Sequence, residues 1–325
     1  MIRIPLSRRA LLASPALATP ALPPAWAQPR SVRVVVPFPP GGGIDIAGRI
    51  YSEALAPILG ENWLVENRSG ANGSIGAALV ARAEADGRTL LCNSDSHLLA
   101  RGVMRQVPYD PIGDFTPIAR LALSPLVLVG APNLAATDLG ALLAEIRANP
   151  DRHAFANTSL GTSGHLATEV FRLEAGVPVL IVSYRGTGPA LADVVGGQTS
   201  LMMAPLVSAL PLIQAGRLRA YCVTGPGRAG VAPGIPNAAE AGMAALAPIA
   251  PWFALWGPKG LPAAQVERIH AGVQQAAATA EVRRKLADLG GDAITGESPA
   301  AFAALIQEAT ARGLSILSRA GVQPE

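Results

Sequence analysis

Short hydrophobic runs alternate along the chain with glycine-rich loops and with segments of helical spacing. Near the N-terminal end, the runs Val32–Val36, Trp63–Glu66 and Thr89–Cys92 predict buried strands, because short β-branched and apolar runs between turn residues favour strands. Apolar residues at helical spacing follow the first two runs. The segment Tyr109–Ile118 is rich in proline and aspartate and predicts a loop. This alternation of strands and helices is typical of α/β architecture.

A second series of predicted strands and helices follows the first. The proline-flanked run Pro125–Pro132 predicts a strand that crosses into a second lobe, and Trp252–Gly257 predicts the return crossing. The sequence therefore predicts two α/β lobes. Residues 31–125 and 254–325 form the first lobe, and residues 126–253 form the second.

Three loops rich in glycine, serine and threonine each follow a predicted strand and precede a predicted helix. They are Pro39–Asp45, Ser159–Gly164 and Tyr184–Pro189. Free N–H groups and the dipole at a helix start favour an anion, which for a small organic ligand is a carboxylate. Ordinary turn chemistry explains such loops equally well, so both interpretations stay open at this point.

The first 27 residues have the pattern of an export signal. Arg8 and Arg9 precede an apolar stretch from Leu11 to Leu22, and Ala25–Ala27 supplies a small–x–small cleavage pattern. We therefore predict a twin-arginine-like signal peptide over residues 1–27 and a protein of the periplasm. Beyond this segment the sequence has no run of about 18 apolar residues, so we expect a soluble mature protein.

Charge and motif spacing argue against several functional classes. Of the 26 Lys and Arg residues, three lie in the predicted signal peptide, which leaves 23 basic and 23 acidic groups and no support for nucleic-acid binding. The first glycine loop lacks both the P-loop ending and the G-x-G-x-x-G spacing of nucleotide sites. The histidines show no metal-ligand spacing. We therefore expect neither a metal nor a cofactor.

Many segments resemble, in the same order, those of one known family. They include VVVPFPPGGGID, VENRSGANGSIGA, VPYDPIGDFTPIA, GTSGHLA and SYRGTGPALADVVGGQ. The chain resembles the Bug family, the extracytoplasmic solute receptors of tripartite tricarboxylate transporters, over nearly all of residues 31–322. The resemblance implies a type II periplasmic-binding-protein fold, in which two Rossmann-like lobes are joined by two crossing strands.

The resemblance also implies a function and its partners. Receptors of this family bind small organic carboxylates between the lobes, chiefly through main-chain amides, hydroxyls and ordered water, and they have no catalytic activity. The implied partners are the inner-membrane transporter subunits of the tripartite tricarboxylate type. We expect a monomer without a cofactor.

Carried over by position, the resemblance places the ligand-binding residues on loops of both lobes. In the first lobe they are Phe38, Gly41, Gly42, Gly43, Asp45, Ser94 and Ser96. In the second lobe they are Thr158, Thr162, Ser163, Tyr184, Gly186 and Thr187. A second role for Asp45, as a cap of the first helix, stays open. Lobe closure would be a hinge motion at crossings near Leu126–Gly130 and Pro251–Ala254.

One segment departs from the family pattern. After the GGQ motif the family usually shows an acidic residue and then a polar cluster, whereas this sequence has TSLMMAPL. Met203, Ala204 and Pro205 take the polar positions. An apolar wall there argues against a second charged group at that end of the ligand. We therefore hypothesise a monocarboxylate or a ligand with an apolar tail.

Two other functions stay open at the level of sequence. A ligand-presenting component of a periplasmic sensing pathway would have the same sequence features. A periplasmic enzyme acting on a carboxylate would need a reactive pair such as Asp95 and His97, which flank Ser96. A hydrogen-bonded loop histidine is the simpler interpretation of that pair.

Overall fold

The computed structural model describes residues 31–158, 160–184, 186–288 and 290–324, so the predicted signal peptide lies outside the described residues. In chain order, the strands are β1 (Ser31–Val36), β2 (Asn62–Asn67), β3 (Thr89–Ser94), β4 (Phe115–Leu123), β5 (Leu126–Gly130), β6 (Ala154–Asn157), β7 (Leu180–Ser183), β8 (Leu201–Pro205), β9 (Arg219–Val223), β10 (Trp252–Pro258) and β11 (Asp292–Ala293). The helices are α1 (Gly43–Leu59), α2 (Ser74–Ala81), α3 (Ala100–Val103), α4 (Leu139–Ala148), α5 (Ser163–Ala175), α6 (Thr187–Val195), α7 (Leu206–Gln214), α8 (Ala263–Ala278), α9 (Ala280–Ala287) and α10 (Pro299–Arg319). Short 3-10 turns lie at Ala71–Gly73, Asp95–Leu99, Pro150–Arg152 and Ala244–Leu246. Within the described ranges, no helix has the length and apolar character needed to cross a membrane.

The strands of the described residues form two sheets. The first sheet has the order β11-β4-β10-β3-β1-β2, and the second has the order β7-β6-β8-β5-β9. In the first sheet β1 is parallel to β2 and β3, while β10 is antiparallel to β3 and β4. In the second, β6 is parallel to β7 and β8, while β5 is antiparallel to β8 and β9. The α/β class and the two-lobe arrangement predicted from the sequence are confirmed.

Strand β1 shows how a valine run specifies the interior of the first sheet. It pairs with a neighbour on each edge, and the side chains of Val34, Val35 and Val36 are at most 1% exposed. A parallel strand that is covered on both faces needs apolar side chains at successive positions. Arg33 is the one charged residue within this valine run. Its side chain reaches outward, and its guanidinium group donates a hydrogen bond to the Glu66 carboxylate at 3.4 Å.

Strand β4 departs from the sequence-based prediction. The loop predicted at Tyr109–Ile118 is wrong in its second half, because β4 begins at Phe115. Pro117 cannot donate to a strand ladder, and the pairing of β4 with β10 changes register beside Pro117. Such an irregularity is how a sheet accommodates a proline. The first half is a loop, in which the Asp110 carboxylate accepts a hydrogen bond from the N–H of Gly113 at 2.9 Å.

Adjacent connections join the two sheets. Strand β4 ends at Leu123 in the first sheet, and β5 begins at Leu126 in the second. The return connection enters β10 at Trp252, which pairs with Leu123. Between these points, the N–H of Ser124 donates to the carbonyl of Pro251 at 2.8 Å. Strands β5 and β10, which the sequence predicted to cross between the lobes, therefore each belong to a single sheet. The chain crosses between the sheets at the residues around the hydrogen bond from Ser124 to Pro251.

The C-terminal helix α10 packs against both lobes. Phe302 and Ile306, in its first half, belong to a hydrophobic cluster of the first lobe. Ile316 and Leu317, in its last turn, belong to the main cluster of the second lobe. Assignment of residues 254–325 to the first lobe alone stays a prediction, and α10 provides a second physical link between the lobes.

His97 lies in an aromatic cluster of the first lobe rather than in a polar loop. Its ring is 3% exposed and lies 5.7 Å from Tyr109, 4.7 Å from Phe115 and 5.4 Å from Trp256, measured between ring centroids. Burial lowers the pKa of His97 from 6.5 to about 4, because a charged imidazolium is poorly solvated there. The neutral ring is therefore a part of the hydrophobic core.

We predict that His97→Phe removes part of the acid sensitivity of the fold. Between the ordinary histidine pKa of 6.5 and about 4, the unfolded chain binds a proton that the folded chain does not. The stability linked to His97 is therefore complete above the unfolded pKa and is lost as the pH falls towards the folded pKa. Urea denaturation at about pH 7 and pH 4.5 would measure the free energy of unfolding. The decrease in this free energy between the two pH values should be smaller in the variant by about 2 kcal/mol.

Tyr109→Phe is the matched control for this experiment. It alters the same ring cluster, but burial raises the pKa of Tyr109 to about 12, so this side chain does not titrate in acid. The control should keep the acid dependence of the wild-type protein. An unchanged acid dependence in His97→Phe would contradict the role assigned to His97.

Candidate functional site

A cavity of about 580 Å³ is lined by residues of both lobes. The predicted site residues that line it are Gly41, Gly42, Gly43, Ser94, Ser96, Thr158, Thr162, Ser163, Thr187 and Met203. Pro205, which the sequence places in the apolar wall, also lines it. The lining residues that were not among the predicted ligand contacts are Ile44, Ile46, Asp95, Ser124, Leu126, Gly164, Met202, Val207, Ser208, Pro251 and Phe253. The fold thus gathers segments that are far apart in sequence around one space.

Helix starts from both lobes line this cavity. Gly43 begins α1 in the first lobe, and Ser163 and Thr187 begin α5 and α6 in the second. The first-turn N–H groups of a helix have no partner within that helix, and the helix dipole adds a partial positive charge. Where such ends meet in a cavity, the site favours a negatively charged group.

The glycines of the first loop meet specific steric demands. Gly41 has a φ of +87°, a conformation that L side chains rarely adopt. A Cβ atom at Gly43 would lie 3.1 Å from the Phe253 ring, which lines the same cavity. These two positions therefore require glycine for the turn and for the approach of the loop to β10.

Asp45 does not line the cavity, so the predicted contact of this residue with the ligand stays a prediction that the lining does not support. Its side chain is 2% exposed because it turns back beneath the loop. The carboxylate accepts hydrogen bonds from the Gly41 N–H at 2.9 Å, from Asn67 Nδ2 at 2.9 Å and from Arg49 Nε at 3.1 Å. Burial alone would raise the pKa of Asp45, but these hydrogen bonds and the Arg49 charge hold it below its usual value. Asp45 braces the glycine loop.

Four other predicted residues also lie away from the cavity lining. The Phe38 ring packs under Gly73, and the Tyr184 hydroxyl donates to Asp193 at 2.8 Å. Gly186 is the N-cap of α6, one residue before the lining begins. Ala204, a residue of β8, is fully buried in the core of the second lobe. Direct ligand contact stays a prediction for these four residues, which lie next to the lining rather than in it.

Asp95 joins the two lobes at the cavity. Its Oδ2 atom accepts a hydrogen bond from the Ser163 hydroxyl at 2.5 Å. Burial raises the pKa of Asp95 to about 6, although the hydrogen bonds from Ser163 and from backbone N–H groups act in the opposite direction. The neighbouring His97 belongs to the aromatic cluster of the core. The fold therefore separates the Asp–His pair of the sequence and removes the basis for an enzyme at this position.

The described lining of the cavity contains one acidic side chain and no basic side chain that could pair with a carboxylate. Among the described lining residues, Asp95 is the only ionisable side chain, and none is basic. The remaining wall combines hydroxyls with apolar side chains, including Met203, Val207 and Phe253. Sequence reasoning missed Phe253 because only sheet pairing brings β10 beside the first loop. The signal for Asp95 is its position directly after strand β3.

The chain is similar over most of its length to solute receptors. A sequence model described as the tripartite tricarboxylate transporter family receptor matches residues 47–322. BugT of Bordetella pertussis is 39% identical over 233 residues, which are 71% of each chain. The solved periplasmic binding protein BugD is 30% identical with a TM-score of 0.77, covering 91% of this chain and 99% of its own. An R. palustris protein solved with adipate is 32% identical with a TM-score of 0.80, covering 92% and 100%.

These similarities bear on two of the expectations from sequence. The family resemblance and the periplasmic-binding-protein fold are confirmed. The matched family consists of receptors rather than enzymes, in agreement with the separated Asp–His pair.

We predict that Asp45→Ala destabilises the fold by about 2 to 3 kcal/mol, because it leaves the Gly41 N–H and the Asn67 amide without their shared acceptor. Urea denaturation would measure the loss. Asp45→Asn keeps one acceptor for Gly41 but loses the ion pair with Arg49, so its loss should be smaller. A loss below about 0.5 kcal/mol for Asp45→Ala, the usual range for surface substitutions, would contradict the bracing role.

Proposed function

We infer that this chain, which belongs to the tripartite tricarboxylate transporter receptor family, captures a small carboxylate between its lobes for a transporter of that type. One observation carries the inference: the starts of α1, α5 and α6, from both lobes, line a single cavity of about 580 Å³. That volume suits a small organic ligand. The adipate in the related R. palustris structure supports the same ligand class.

Main-chain and hydroxyl groups would bind the carboxylate. Gly42 and Gly43 would contribute the N–H groups at the start of α1, and Thr187 would contribute its hydroxyl and the N–H at the start of α6. Thr158 and Thr162 add further hydroxyls on the second lobe. Hydrogen bonds from several such donors can bind an anion without a basic side chain.

The ligand we propose has one carboxylate, with an apolar remainder against the opposite wall. Met202, Met203, Pro205 and Val207 line the cavity along β8 and the start of α7, and Phe253 lines it from β10 of the first sheet. An apolar wall stabilises a hydrocarbon chain, and the side chains of these residues offer a second carboxylate no hydrogen-bond donor. Ser208 is the exception on this wall.

Ligand capture would close the two lobes by a hinge motion. The proposed lobes are residues 31–125 with 254–325, and residues 126–253. The hinge would be the paired crossings at Ser124 and Pro251, where few backbone bonds need to rotate. We further propose export to the periplasm by a signal peptide at residues 1–27, the compartment of the family, and a monomeric receptor that delivers its ligand to inner-membrane subunits.

We predict that hexanoate, a simple aliphatic monocarboxylate, raises the melting temperature of the protein lacking residues 1–27, because it binds only the folded state. Thr187→Ala should weaken hexanoate binding about tenfold in calorimetry, the effect of losing one hydrogen bond to a charged group. Thr310→Ala on α10 is the matched control outside the cavity lining and should bind as the wild-type protein does.

The outcome decides between distinct possibilities. Binding of a monocarboxylate that depends on Thr187 and not on Thr310 supports the proposed site. If no mono-, di- or tricarboxylate binds, the proposed ligand class is wrong. If hexanoate binds equally well to all three proteins, the carboxylate does not bind at the start of α6.

A further inference from the structure

Asp95 brings a negative charge of the first lobe to the start of a helix of the second lobe. It is the first residue of the 3-10 turn Asp95–Leu99, directly after β3. Its carboxylate accepts the hydrogen bond from Ser163, the first residue of α5. A carboxylate at that position balances the positive end of the helix dipole. Asp95 therefore places a carboxylate of the first lobe beside the start of α5, whose backbone is capped by the Thr162 side chain.

Three further helix starts line the same cavity as Asp95. Gly43 and Thr187 are the first residues of α1 and α6, and Val207 and Ser208 lie in the first turn of α7. One ligand carboxylate can use the N–H groups at these starts. A second carboxylate bound in this cavity would share it with the Asp95 carboxylate and with apolar side chains such as Met203.

We propose that Asp95 is a specificity-determining residue, a charge filter that admits a ligand with one carboxylate and excludes a ligand with a second anionic group. The proposal rests on the proposed function, because it concerns the ligand of the same cavity. Its physical basis is repulsion between like charges where burial reduces the screening by water.

Among the residues that the structure describes, the two guanidinium groups that line a cavity with Asp95 are paired with other carboxylates. Asp95 also lines a second cavity, of about 440 Å³, together with Arg120, Glu308 and Arg312. Arg120 Nη2 lies 2.6 Å from Glu297 Oε1, and Arg312 Nη2 lies 2.9 Å from Glu308 Oε1. These pairs largely cancel their own fields, so neither guanidinium group neutralises the charge of Asp95.

Three ligands of nearly equal length isolate the effect of the second charge. Hexanoate has one carboxylate, adipate has two, and monomethyl adipate has one carboxylate and a neutral ester. Calorimetry at about pH 7.5 keeps both carboxylates of adipate ionised, and it also ionises Asp95, since this pH lies above its raised pKa. The wild-type protein should bind hexanoate and monomethyl adipate at least about tenfold more tightly than adipate. The R. palustris relative solved with adipate serves as the positive control for that ligand.

Asp95→Asn tests the filter directly. Asparagine keeps an acceptor for Ser163 and removes the charge, so affinity should rise for every anionic ligand and should rise most for adipate. We expect the preference for hexanoate over adipate to fall by about tenfold or more. Asp95→Ser is the second variant if Asp95→Asn does not fold, and the wild-type comparison of adipate with its monomethyl ester needs no variant.

Two control variants separate the charge from other effects. Ser163→Ala removes the hydrogen bond between the lobes but keeps the Asp95 charge, so it should shift the affinities for all three ligands by a common factor. Asp86→Asn removes one negative charge at an exposed turn outside the cavity lining, where asparagine can still accept from the Arg88 N–H. Its preference among the ligands should equal that of the wild-type protein.

The proposal is overturned if the wild-type protein binds adipate as tightly as hexanoate. It is also overturned if Asp95→Asn leaves the preference unchanged, or if Ser163→Ala changes it as much as Asp95→Asn does. Each of these three results requires that hexanoate still binds, so each leaves the proposed receptor function intact. Failure of the wild-type protein to bind any of the three ligands would instead refute the carboxylate site itself, and the filter with it.

Discussion

Unsatisfied N–H groups at helix starts are the constraint around which this protein is organised. A helix cannot pair the N–H groups of its own first turn, so each start needs a capping side chain, water or a ligand. The fold places the starts of α1, α5 and α6 on the wall of one cavity. Because strands and helices alternate in both lobes, these starts follow strand ends that face the other lobe. Binding capacity is therefore a consequence of the architecture.

The cavity wall depends on residues that do not reach the cavity. Asp45 accepts hydrogen bonds from Gly41, Arg49 and Asn67, so one buried carboxylate ties the glycine loop to α1 and to β2. Tyr184 does comparable work for the second lobe through its hydroxyl contact with Asp193. A site made of main-chain groups has few side chains of its own, and its geometry is held by such supporting contacts.

Two kinds of contact connect the lobes, namely the backbone crossings and the side-chain packing of α10. The crossings meet through the hydrogen bond from Ser124 to Pro251, whereas α10 contributes side chains to hydrophobic clusters of both lobes. The Asp95–Ser163 hydrogen bond adds a polar contact at the cavity itself. The proposed lobe closure would have to preserve the packing of α10, which favours a small rotation over a wide separation.

The sequence by itself determined the alternation of strands and helices, the two lobes and the loops that line the cavity, because hydrophobic periodicity and glycine are local signals. It did not determine β4, where Pro117 favoured a loop until pairing with β10 accommodated it. Nor did it separate Asp45, which turns inward, from Asp95, which faces the cavity. Both are acidic residues in the first turn of a helical segment, and only the packing of neighbouring segments decides which carboxylate is buried beneath a loop. Tertiary structure therefore fixed the charge of the site, because charge acts through space between residues distant in sequence.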